Sequence, residues 1–181
     1  MVFCNQKCFS VRGVLFLFTG LALFMTACRS GGSKSDCPTA PSAIFSDGLE
    51  GVGTHDFMQN GAEGLEVVSF SNGVFLEIFQ SGCDSLRQEF RFRLPSAEPG
   101  GTAEEEPGFW LLEAQNQFRA LGALGPDFLP FSQWADALAT RQEQFRLAEP
   151  MQVETGFWMM VDKIESFDGP TLVVVLSNTE L

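Results

Sequence analysis

Alternation of apolar and polar positions is strongest in the middle of the chain, where Leu65–Ser71 and Val74–Gln80 are two strand-like runs separated by Asn72-Gly73. That dipeptide favours a two-residue type I′ turn, so the pair predicts a hairpin. The turn sets Val67 opposite Ile78 and Ser69 opposite Leu76. Leu65, Val67, Leu76 and Ile78 then share the face turned toward the rest of the fold, and Phe70, Phe75 and Phe79 share the other. Next, Leu86–Leu94 alternates with period two: Leu86, Phe90, Phe92 and Leu94 on one side, Arg87, Glu89, Arg91 and Arg93 on the other. This predicts a half-exposed strand. Its charged stripe reads as a solvated face paired across to residues such as Glu77, with an anion site as the sharper alternative.

The period changes at Phe109. Leu111, Ala114, Phe118 and Leu121 fall on one helical face, and Gly122 or Gly125-Pro126 ends the run. A second helix is expected from Ser132 as N-cap, carrying Trp134, Ala137, Leu138, Arg141 and Phe145 up to Glu149-Pro150. The connection Leu124–Phe131 is apolar, and either folds over the core edge or faces a partner. Phe157–Ile164 and Thr171–Ser177 read as strands around a turn at Asp168-Gly169-Pro170, the second apolar on both faces like a central strand. Upstream, Ile44–Asn60 is studded with glycine, with Thr54–Met58 its best short strand. Pro95–Gly108, with Pro99-Gly100-Gly101 and Glu104-Glu105-Glu106, has the composition of a surface loop. Strands, two helices, then two strands predict an α+β fold: a two-layer sandwich of a mainly antiparallel sheet of about five to six strands, with helices on one side.

At the N-terminus the pattern is of another kind. Lys7 and Arg12 precede Val14–Phe24, eleven uncharged residues, too few for the roughly 20 of a membrane-spanning helix and typical of an export signal. Met25-Thr26-Ala27-Cys28 follows, and resembles the lipobox of bacterial lipoproteins, with Met25 where leucine is usual. The resemblance covers residues 1–28 and implies removal of 1–27 and acylation of Cys28, whose chains would bind the bilayer. Arg29, rather than aspartate, after the cysteine implies the outer membrane, facing the periplasm. Residues 28–43, rich in Gly, Ser and Pro, then form a flexible tether, and 44–181 a single domain. An ordinary signal peptide or an uncleaved anchor is the competing reading.

Composition narrows the partners. Removal of Lys7 and Arg12 leaves 9 of the 11 basic residues against 23 acidic ones, a net of −14. Such a balance argues against nucleic acid, whose binding needs clustered cations. Cys4 and Cys8 leave with the signal, and Cys28 is the acylated residue. Cys37 and Cys83 therefore remain, an even pair in an exported chain, which reads as one disulfide closing a 47-residue loop and contributing roughly 4 kcal/mol. A metal-binding thiol pair or two buried free thiols are the alternatives.

No constellation for chemistry accompanies these features. The one histidine, His55, stands next to Asp56 without a nucleophile elbow or a second histidine; a structural role is its ordinary reading and a general base the sharper one. Glu104–Glu106 lacks the spacing of a calcium loop, and Gly51-Val52-Gly53 lacks the lysine of a phosphate loop. No catalytic residue, metal site or cofactor is assigned. The sequence thus points to a membrane-tethered, non-enzymatic domain that binds an envelope protein or takes part in envelope assembly. A small-ligand-binding lipoprotein is the alternative, a hydrolase a distant third. Phe70, Phe75 and Phe79 form the candidate binding surface.

Overall fold

The computed structural model describes residues 40–94, 107–166 and 169–181. The signal and its Cys28, Cys37, most of the tether and the Glu104–Glu106 run lie outside the described residues. Among the described residues seven strands form one sheet: β1 (Val52–Asn60), β2 (Glu63–Phe70), β3 (Phe75–Gly82), β4 (Leu86–Arg93), β5 (Met151–Glu154), β6 (Phe157–Ser166) and β7 (Gly169–Ser177). Their order is β1-β2-β3-β4-β7-β6-β5, with every neighbouring pair antiparallel. Two helices, α1 (Pro107–Gly122) and α2 (Leu129–Thr140), are inserted between β4 and β5. The fold is α+β, with seven strands rather than five to six and three strands after the helices rather than two. The strand missed is β5, four residues long and too short to show an alternation of its own.

Both helices pack on the same face of the sheet, here the inner face. Phe118 of α1 meets Phe90 and Phe92 of β4 edge-on at 5.6 and 6.1 Å, and Phe131 and Trp134 of α2 reach Phe90 at 5.8 and 6.1 Å. Leu172, Val174 and Leu176 of β7 and Met159 and Val161 of β6 complete this buried cluster. Leu111, Ala114, Phe118 and Leu121 are all buried, as the helical period requires. Helix α1 begins at Pro107, inside the segment read as loop, because proline suits the first helical turn.

Helix α2 departs further from its sequence reading. It starts three residues before Ser132, with Pro130 in its first turn and no side-chain cap. Ser132 is instead a contact residue within the helix. A Cβ at Gly122 would collide with Ser132 Oγ and come within 2.9 Å of its backbone nitrogen, so glycine lets α1 and α2 approach. The helix also ends at Thr140 rather than running to Glu149, and a short 3₁₀ turn, Gln142–Gln144, follows. The apolar connection resolves as a 3₁₀ turn, Pro126–Phe128, with Phe128 buried and stacked on Phe45 at 5.4 Å. It closes the core edge.

The hairpin between β2 and β3 carries the largest correction. Val67 lies opposite Glu77, Val68 opposite Leu76 and Glu66 opposite Ile78, one residue away from the expected register. The loop has three residues, Ser71-Asn72-Gly73. Phe70 N–H donates to Val74 O at 2.8 Å, Gly73 N–H donates to Phe70 O at 3.0 Å, and Gly73 has φ +87°. This is a three-residue hairpin loop completed by a left-handed glycine. Because side chains alternate, a slip of one residue exchanges faces. Val68, Leu76 and Ile78 are buried on the inner face, whereas Leu65 and Val67 are half-buried on the outer one.

Candidate functional site

The inner-face position that upset the alternation is Glu66, whose side chain is fully buried. A buried carboxylate must be satisfied by donors. Its oxygens accept from Ile44 N–H at 3.0 and 2.9 Å, from Phe45 N–H at 2.8 Å and from His55 Nε2 at 2.9 Å. Nearby, the Gln80 amide exchanges two bonds with the Ser42 backbone, accepting from its N–H at 3.4 Å and donating to its carbonyl at 2.9 Å. Pro41 lies over Gly64, where a Cβ would meet the proline ring at 2.7 Å. Three inner-face positions are therefore non-apolar for one reason. Residues 41–45 lie along the inner face of β2 there as a strap, and Gly64, Gln80 and Glu66 receive it. Phe45 seats the end of the strap in the core against Phe70, Phe128 and Phe131.

His55 belongs to the same arrangement. Its other ring nitrogen, Nδ1, is 3.5 Å from exposed Asp47, so the imidazole bridges Glu66 on β2 and the segment after the strap. The hydroxyls closest in sequence, Thr54 and its partner Ser69 at 2.6 Å, belong to the opposite face. The arrangement holds a chain segment in place. Among the described residues no cluster of three His, Cys, Asp or Glu side chains is placed to hold a metal ion.

The candidate binding surface is divided by the register. Phe70 lies on the inner face, edge-on to Phe45 at 5.7 Å, and leaves the proposed trio. Phe75 and Phe79 remain together on the outer face, each under an arginine of β4: Arg93 lies 4.2 Å from the Phe75 ring and Arg91 4.3 Å from the Phe79 ring. Such stacks contribute about 0.5–1 kcal/mol each at exposed sites. The guanidiniums are held in turn, Arg91 by Glu89 at 2.6 Å and Arg93 by Glu77 at 3.5 Å. The charged stripe of β4 and the phenylalanines of β3 thus form one interleaved surface, and the stripe is the cross-paired face the sequence indicated.

An open cleft lies at one end of this face. Cross-strand pairing sets Met58, Leu65, Phe79 and Glu89 in one row over β1 to β4. The cleft, about 530 Å³, is lined by Met58, Leu65 and Phe79 with Glu63, Arg87 and Glu89 at its polar margin. Met58 is 53% exposed although the side chain is long and apolar. Sequence reasoning missed Met58 and Leu65 as site residues because it placed Leu65 in the core. Cys83 lies between β3 and β4. Comparison of the chain with protein-family models, with curated proteins and with solved structures finds no match.

Proposed function

We propose that this protein is a lipid-anchored, non-enzymatic interaction domain of the bacterial envelope, held to the outer membrane through acylated Cys28 and contacting an envelope protein through the outer face of its sheet. In this reading the fold is a two-layer sandwich whose helices occupy the inner face, and Cys37 pairs with Cys83 to pin the tether to the domain. The observation that carries the contact surface is the Met58–Leu65–Phe79 row. An exposed methionine adjoining a half-buried leucine and phenylalanine around a cleft is the kind of apolar surface that marks a contact. The strap joins the domain on the inner face. The cleft volume also lies within the roughly 300–1,000 Å³ range of small-molecule sites, which favours a ligand-binding lipoprotein as the second reading.

The test uses the full chain expressed in bacterial cells, with a photoreactive residue at position 58 or, as a control on the helical layer, at exposed position 112. Position 58 is expected to give a discrete cross-linked protein in the envelope, with position 112 giving none. Cys28→Ser is expected to abolish labelling by radioactive palmitate. Equal cross-linking from both positions overturns the assignment of the face, and persistent palmitate labelling overturns the anchor. A small molecule co-purifying in stoichiometric amount would transfer the cleft to the second reading.

A further inference from the structure

We propose that β1 is an acceptor edge, and that the partner engages it by adding an extended segment in which an apolar and a basic residue stand two positions apart. The inference rests on the reading of the outer face as the contact surface and specifies the chemistry of the occupant. Among the described residues β1 lies at an end of the strand order, paired with β2 on one side, and is nine residues long. Proteins ordinarily protect such an edge with charged side chains, lysine above all, with proline, shortness or a bulge, or by covering it with a loop. Here Val52–Asn60 contains neither lysine nor proline, its one acidic side chain is Asp56, and its register shift is at the very start, between Val52 and Thr54.

The side chains along this edge define what would lie beside it. Residues of an added strand continue the cross-strand rows of the sheet. One outer-face position would extend the row Met58–Leu65–Phe79 and border the cleft, which calls for an apolar side chain. The position two residues away would stand beside Asp56. Asp56 is exposed and forms no ion pair among the described residues, and neither does Glu63 at the cleft margin. Both call for cations. A second copy of the chain fits poorly, since no two-fold symmetric register of β1 on itself sets a cation against Asp56, and each chain carries a net charge of −12.

The test measures amide hydrogen exchange of the full chain, purified from membranes in mild detergent, with a nine-residue capped peptide, Thr-Thr-Lys-Thr-Leu-Thr-Lys-Thr-Thr. Its symmetry places lysine two residues from leucine in either strand direction. The peptide is expected to slow exchange in β1 while leaving α1 unchanged, and replacing both lysines by glutamate is expected to weaken binding about fivefold or more, given favourable and unfavourable cross-strand charges. Asp56→Lys, an exposed change, is expected to reverse that preference, with an unchanged melting temperature as its control. Absence of protection in β1 with either peptide, or a preference unaltered by Asp56→Lys, overturns the proposal. So does sedimentation showing dimers that Met58→Lys dissociates, which would assign the edge to a second copy. If position 58 still cross-links an envelope protein while the peptides fail, strand addition is refuted and the contact face stands; if both fail, the face itself is refuted.

Discussion

Glu66 decides both the register of the hairpin and the attachment of the strap. In the sequence, a glutamate between Leu65 and Val67 signals the solvent side of a strand, and that signal inverts the alternation. Only the donors supplied from Ile44, Phe45 and His55, distant in sequence, make the inner position tenable, and no local pattern announces them. The same contacts account for His55, legible as an isolated histidine but not as a bridge between Glu66 and Asp47. Glu66→Leu tests this directly. If burial alone governed the position, leucine would stabilise the fold. Instead the substitution is expected to cost several kcal/mol, about 1–3 for each buried N–H left without an acceptor, with residues 41–47 exchanging their amides much faster in the variant. Urea denaturation and hydrogen exchange measure the two effects.

At the scale of elements, what was legible followed from strong local periodicity. The arginine-phenylalanine alternation of β4, the helical face of α1 and the doubly apolar run of β7 all appear as read, and β7 takes the central place its composition required. The failures have separate causes. Asn72-Gly73 is compatible with both two-residue and three-residue loops, and the burial of Glu66 selected the longer. Ser132 resembles an N-cap, yet Pro130 in the first turn and the close approach to Gly122 place it inside α2. The register makes a sharp distinction between adjacent valines. Val68→Ala, on the inner face, is expected to cost about 2 kcal/mol or more, and Val67→Ala, half-buried on the outer face, distinctly less. The opposite order in denaturant midpoints would restore the two-residue turn.

For the molecule as a whole, the outer face illustrates how far composition can mislead. Three phenylalanines appeared to be left to water; one belongs to the core, and two are covered by arginines whose own charges are held by Glu77 and Glu89. The apolar surface that remains is at the margin, around Met58 and Leu65, where the sheet ends at β1. The proposed contact has therefore moved from the hairpin to the edge of the sheet, and the proposed anchor, with the strap and the edge strand, would make a tethered domain that presents β1 to a neighbour. Hydrogen exchange of the lipidated protein in native envelope membranes, compared with the same protein after detergent purification, tests this most directly. Amides of Val52–Asn60 are expected to be more protected in the membranes and to lose that protection on purification, while those of α1 exchange alike in both. Equal exchange of β1 in the two states, or protection confined to the helices, would contradict it.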